Sequence, residues 1–440
     1  MTVAKWFQLS ILVFFLLSAC GRNEQSKPVV EIPDSVQEIV HPDLTDLEPV
    51  ALQSMEAQKQ QLSLILAKED ATDLSKSQAY GKTGILYHAL NFFPAAETAY
   101  LNAHLMDPNN FQWPYFLGKL YQDLNQPDPQ KAAVWYDKAH GLKNDFSAIK
   151  TRLAEALRTN GQLERAKVLY EEAVVLDAKN ALATAGLGHI AVAENRYEEA
   201  INHFKAAIGK QARASSLHYP LSQAYQALDK AEEAQKELAL RGKVEPFLDD
   251  PFMAQINEPK AMTHYRMAET LRVAEQFEQA APHYDLVVQL KPTEPGPRMG
   301  RALNLIRMGR HFDAVVNLQD DITVFPGMFP LHHILARLSA TSPDDRVRDG
   351  TRAIALLSSL QRAGRTAELT ETLAMAFAEL GRFEEAVLAQ ERAIEIAREG
   401  GEEAFAEKLQ KNLEIYKAGK PCREPWPPDD PLFKMVTIGR

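Results

Sequence analysis

The stretch Ala181–Arg213, ALATAGLGHIAVAENRYEEAINHFKAAIGKQAR, decides the fold. It reads as two short amphipathic helices joined by a turn at Asn195. Gly188 in the first helix and Ala200 in the second carry almost no side chain, so the two helices can approach closely there. Phe204 is the large apolar plug, and Ala207, three residues on, lies on the same face. One such hairpin cannot bury its own apolar face. It needs copies stacked on either side.

The copies are present. The small residue that opens each second helix recurs as Ala96, Ala132, Ala166, Ala200, Ala234, Ala280, Ala314, Ala353 and Ala386, at intervals of 36, 34, 34, 34, 46, 34, 39 and 33 residues. The plug four residues later recurs as Tyr100, Tyr136, Tyr170, Phe204, Leu238, Tyr284 and Leu318, and the small residue after it as Ala103, Ala139, Ala173, Ala207 and Ala393. Pro108, Pro292 and Pro326 end helices where the next unit must begin. The tightest run is Tyr80, Gly84, Tyr87, Ala96, Tyr100, Ala103 and Pro108, followed by Leu117, Gly118 and Tyr121. This registration resembles the tetratricopeptide repeat family, whose unit is about 34 residues long.

The resemblance implies an all-α, right-handed superhelical solenoid of about nine helix-turn-helix repeats with N- and C-terminal capping helices. It also implies a concave groove lined by the first helix of each repeat. Carried over position by position, the groove residues are Tyr115, Lys119 and Gln122 in repeat two and Glu155 and Arg158 in repeat three. His189 follows in repeat four, Tyr219, Gln223 and Gln226 in five, and Tyr265, Glu269 and Arg272 in six. Rings and amides of this kind suit an extended peptide. Repeats seven and nine place Met299, Leu303 and Met375 at the same positions, an apolar stretch that asks to be covered by a helix, a loop or the tail.

Residues 1–19, MTVAKWFQLSILVFFLLSA, carry one charge, Lys5, before an apolar run that is short for a membrane span and right for a signal-peptide core. The run ends in Leu17-Ser18-Ala19-Cys20, which resembles a bacterial lipoprotein lipobox. The resemblance implies cleavage before Cys20 and acylation of Cys20, with palmitate-type chains holding the protein to the membrane. Several chains anchor firmly where one binds only marginally. Gly21, in place of the Asp associated with inner-membrane retention, favours the outer membrane, facing the periplasm. Residues 20–49, with four prolines from Arg22 to Pro49, read as a flexible tether.

The body then divides into a capping helix at 50–76, repeats one to five at 77–241 and repeats six to nine at 261–400. Between the two blocks, 242–260 is rich in Pro and acid and lacks a helical period. It is either a domain boundary or a loop folded back on the solenoid, and Phe247, Leu248, Phe252 and Met253 favour the loop because they want burial. A last capping helix occupies 401–419. Residues 420–440 are a Pro-rich tail, extended along the surface with Trp426 as its anchor.

The formal charge is −10, and −11 once Lys5 leaves with residues 1–19. An acidic body without basic blocks argues against nucleic acid and against electrostatic membrane docking. Acylation of Cys20 leaves Cys422 alone, so no intrachain disulfide is available. The histidines are scattered, and the adjacent His332 and His333 diverge on a helix. No His-Glu-x-x-His, Cys-x-x-Cys, Gly-x-Ser-x-Gly or phosphate-binding glycine loop is present. Carboxylate pairs such as Asp320-Asp321 and Glu384-Glu385 read as solvated helix faces. The expectation is a scaffold that is not an enzyme, with no catalytic residues, cofactor or metal. It would hold another envelope protein or peptide near the membrane. The alternatives are self-assembly into oligomers without a client, or an enzyme with a site in the linker or tail.

Overall fold

Seven of the nine hairpins turn on one residue in the left-handed backbone region. Asn91, Gly161, Asn195, Asp229, Glu275, Gly309 and Gly381 have φ of 63°, 75°, 58°, 57°, 59°, 71° and 72°. Gly, Asn and Asp accept this conformation at little steric cost, and Glu275 is the exception. The computed structural model describes residues 32–45, 47, 49–242, 244–360, 366–427 and 430–434. Residues 1–19 and Cys20 lie outside them. Twenty α-helices and no strand occur among the described residues.

Helix α1 (Pro49–Leu66) stands before the first pair. Then α2 (Asp73–Ala89) pairs with α3 (Phe93–Met106), and α4 (Gln112–Asp123) with α5 (Pro129–Leu142). The next pairs are α6 (Ser147–Thr159) with α7 (Leu163–Leu176), α8 (Ala181–Ala193) with α9 (Tyr197–Lys210), and α10 (His218–Gln226) with α11 (Ala231–Ala239). The second block pairs α12 (Pro251–Val273) with α13 (Phe277–Leu290) and α14 (Gly296–Arg307) with α15 (His311–Val324). It continues with α16 (Phe329–Thr341) and α17 (Gly350–Leu360), then α18 (Ala367–Glu379) and α19 (Phe383–Glu399), and α20 (Glu403–Lys417) closes it. The result is an all-α solenoid of nine helix pairs with a covering helix at each end.

Small residues set the helix spacing. All nine alanines that open the second helices are buried, as are the rings of Tyr100, Tyr136, Tyr170, Phe204 and Tyr284. A Cβ on Gly118 would lie 2.6 Å from the Tyr136 ring, and one on Gly188 would lie 2.8 Å from the Phe204 ring. Only glycine lets the ring seat that deeply. The core runs as a series of clusters along the chain, each shared by neighbouring pairs, as stacking requires.

Three segments depart from expectation. The first turn of the stack begins at Asp73, capped by Thr72, so the covering helix is shorter than 50–76. The tether also ends early. Gln37 clamps the Asn102 side chain, its N–H donating to Asn102 Oδ1 at 2.8 Å while Asn102 Nδ2 donates to Gln37 O at 2.7 Å. Ile39 and Leu44 then enter the core of the first pairs. Two apolar residues and one amide pair are enough to dock this polar stretch.

The third departure is at 242–260, whose second half is helical from Pro251 onward. Asp250 accepts from the N–H groups of Phe252 and Met253, both at 3.2 Å, and Pro251 takes the first helical position, where its missing N–H costs nothing. Pro259 sits inside α12. The leading half of α12 packs on α2, and Met253 and Ile256 join the core of the first pairs. The first turns of α12 are therefore folded back onto the first three pairs. Phe252 wedges between Phe111 and Phe146, with ring centroids 5.0 and 5.3 Å away. Phe247, expected to be buried there, stays 45 % exposed.

Candidate functional site

The first helix of each pair contributes to one face of the solenoid, here called the inner face. Three zones follow one another along it.

In the first zone the face is filled by the chain itself. Tyr115, expected to line the groove and meet a partner, is fully buried, and its hydroxyl donates to Asp250 Oδ2 at 2.5 Å. Arg152 Nε reaches both groups, at 3.1 Å from the Tyr115 hydroxyl and 3.2 Å from Asp250 Oδ2. The ion pair is buried, which favours it only because each lone pair finds a donor. Beside it, Lys119 pairs with Asp123, which also accepts from His88 at 3.2 Å. Burial pushes the Asp123 carboxyl up, but Lys119 and His88 outweigh that and hold it below the usual range. Gln122 accepts from the Tyr136 hydroxyl at 2.8 Å. This zone is committed to the fold.

The second zone, on α6, α8 and α10, is open. Glu155, Arg158 and His189 are half-buried, while Tyr219, Gln223 and Gln226 are exposed. Arg158 Nε is buried and has no hydrogen-bond acceptor among the described residues. The His189 ring packs edge-on to Phe204 at 5.0 Å. Burial, then the nearby Arg158 charge, push its pKa down to about 4, so it is neutral at pH 7. Gln223 Nε2 donates to the Tyr219 hydroxyl at 3.2 Å. The zone offers one guanidinium, one neutral imidazole, one carboxylate, a phenol and two amides.

In the third zone Tyr265, Glu269 and Arg272 are buried. Glu269 accepts from the Tyr284 hydroxyl at 2.5 Å and from Arg272 Nη2 at 2.7 Å. Arg272 Nη1 donates to the backbone oxygen of Phe433 at 2.5 Å. The tail thus lies on this face. Trp426, Leu432 and Phe433 pack, with Met299, against a core that includes Leu303, and Cys422 packs in the cluster that holds Met375. The apolar stretch on repeats seven and nine is covered by the tail.

The most informative residues were absent from the sequence reading. Arg152 and Asp250 build the first zone's ion pair; Arg307, Arg337 and Glu371 build the third. Asp250-Pro251 carried a legible signal, a capping carboxylate before an N1 proline. Asp321 also differs from expectation. It is buried, paired with Arg298 and, at 3.3 Å, with Arg301, and is not a solvated face. No group of three metal-ligating side chains occurs among the described residues, and no described helix is long and apolar enough to cross a membrane.

One tetratricopeptide-repeat family profile matches residues 151–216 and 185–242, and a second matches 368–399. No curated protein matches the chain. Among solved structures, the chain is similar to the crystal structure of MamA protein, with 22 % identity over 37 % of this chain and 88 % of that one, at a TM-score of 0.35. It is similar also to YrrB, described as a TPR protein with an unusual peptide-binding site, with 20 % identity over 45 % of this chain and 96 % of that one, at a TM-score of 0.23. The family profiles fall on the helix pairs that the turn and plug residues define, from α6 to α11 and at α18 and α19, so the chain contains tetratricopeptide repeats.

Proposed function

We propose that the protein is a non-catalytic docking scaffold of the bacterial envelope. Lipid on Cys20 would hold it at the outer membrane, facing the periplasm, and the open zone of repeats three to five would receive an extended segment of another envelope protein. The observation that carries this reading is the state of the inner face. It is already occupied by its own chain at both ends, by the first turn of α12 and by the tail, and among the described residues the middle is left open, with Arg158 Nε lacking an acceptor.

Tyr219→Ala with Gln226→Ala tests the site. Central aromatic contacts are worth about 2 kcal/mol or more, and about 1.4 kcal/mol already equals a tenfold change in affinity. Capture of the client from solubilised envelope should fall at least tenfold. The melting temperature should hardly move, because these positions are exposed. Undiminished capture moves the binding surface elsewhere. Cys20→Ser tests the address: the variant should leave the membrane fraction, and retention equal to wild type removes the lipid anchor from the account.

Self-assembly remains the second reading, favoured by one patch. Val168, Val175 and Leu176 on α7 are 51 %, 85 % and 46 % exposed. Grouped apolar surface of this kind marks contact sites. Val175→Glu should then lower the apparent mass in sizing experiments; an unchanged monomer leaves the scaffold reading alone.

A further inference from the structure

We propose that the inner face of repeats six to nine is a second binding site, selective for a proline-led peptide that turns so that two aromatic residues seven positions apart meet, and that the chain's own tail, through Pro421–Pro427 and Asp430–Phe433, is its resident, displaceable ligand. The proposal does not depend on the open zone of repeats three to five.

The tail is held as a ligand is held. It runs back across the stack, with Arg423 paired to Glu379 beside α18, Pro425 against α16 and Phe433 against α12 and α14. Two arginines read its backbone: Arg337 Nε donates to Pro425 O at 2.5 Å, and Arg272 Nη1 donates to Phe433 O at 2.5 Å. Each of its two aromatic rings lies over a guanidinium. Arg337 is 5.3 Å from the Trp426 ring centroid and Arg307 is 5.1 Å from that of Phe433. The rings themselves meet edge-on at 6.2 Å.

The arginines are fixed by the solenoid. Arg337 pairs with Glu371 at 2.7 Å and Arg272 with Glu269 at 2.7 Å, and Glu371 accepts a further bond from Asn412 at 3.1 Å. With the charges of Arg337 and Arg272 balanced internally, these two side chains address neutral carbonyls and rings, while Glu379 takes the tail's one arginine, Arg423. An acidic peptide is not the complement of this face. Pro421, Pro425 and Pro427 restrict the backbone and reduce the entropy lost on binding, and a turn closed by the Asp430 N–H on Pro427 O, at 3.0 Å, leads into the short 3-10 helix Pro431–Lys434 that brings Phe433 back to Trp426. The attachment is also hinged. Gly419 follows α20 with φ of 68°, and Trp426, Leu432 and Phe433 are only half-buried.

The probe is a fluorescein-labelled synthetic peptide of residues 420–434, KPCREPWPPDDPLFK, titrated under reducing conditions into three full-length proteins. Wild type has its site filled and should bind weakly. The Trp426→Ala, Phe433→Ala protein, whose own tail is loosened, should bind at least tenfold more tightly. Adding Arg337→Lys, which keeps a cation beside Glu371 but loses the planar fork, should remove that gain. Equal affinity of wild type and the loosened protein, or a gain that survives Arg337→Lys, overturns the proposal. Deuterium uptake of the wild-type chain gives a reading that does not depend on the variants folding. Saturating peptide should speed exchange at 423–427, and unchanged exchange there contradicts displacement. Tyr219→Ala with Gln226→Ala should leave every one of these values unchanged, so failure of the client site and failure of the tail site remain separate results.

Discussion

At the residue scale, Asp250 carries the most consequence. One carboxylate caps α12, accepts the Tyr115 hydroxyl and pairs with Arg152. Removing one member of a buried pair costs about 3–5 kcal/mol, because the partner is left charged and dry. Asp250→Ala should therefore lower stability by about 3 kcal/mol or more in urea melts, with faster hydrogen exchange in α2, α4 and α6. A loss under about 1 kcal/mol would mean that water reaches Arg152. His264 and His283 make a second prediction. Their Nδ1 atoms are 2.7 Å apart. Burial, then His283 and Lys260, push the His264 pKa down to about 4, and burial lowers that of His283. The folded pKa lies below the ordinary histidine value of 6.5, so the unfolded chain binds the proton first on acidification. The contribution is full above about pH 6.5 and is lost as the pH falls toward 4. The melting temperature should drop across that window, and His264→Gln should make the drop smaller. An identical pH profile for the variant would remove the pair as its cause. Tyr115 shows what the sequence hides at this scale. Its position in the repeat points to the inner face, but its hydrogen-bond partner arrives from 135 residues away, and no local pattern encodes that.

At the element scale, the hairpin is the unit, and its closest contact is the most sensitive point. Ala200 is fully buried where α8 and α9 meet. Ala200→Leu should cost about 1–3 kcal/mol by overpacking. Because neighbouring pairs share cores, faster exchange should spread to α6, α7, α10 and α11. Disturbance confined to α8 and α9 would contradict a continuous stack. The hairpins were legible because each is written in about 34 consecutive residues: a small residue, a large apolar side chain four later in most, and in seven of nine a residue with positive φ between the helices. The first turns of α12 were not. Pro259 and the acidic run from Asp249 read as breakers, yet tertiary burial of Met253 and Ile256 outweighs the lost hydrogen bond at Pro259. Residues 37–44 were missed for the same reason, since a stretch with only Ile39 and Leu44 to bury has no period to detect.

At the scale of the whole molecule, the solenoid occupies its own inner face at both ends. The helix that starts the second block closes the first, and the tail closes the second. The apolar positions Met299, Leu303 and Met375 announced that something must cover them, and Trp426 was a legible anchor; which strand of chain met which arginine depended on how the stack curls. The central claim is that only the zone between the two closures, from Glu155 to Gln226, is free to hold another protein. The most direct measurement places a photo-crosslinking amino acid singly at Tyr115, Gln223 and Arg272 in the full-length protein in its native envelope. Gln223 should give adducts of higher mass with a partner. Position 115 should link only to residues near Asp250, and position 272 only to the tail. Partner adducts at 115 with none at 223 would contradict the account.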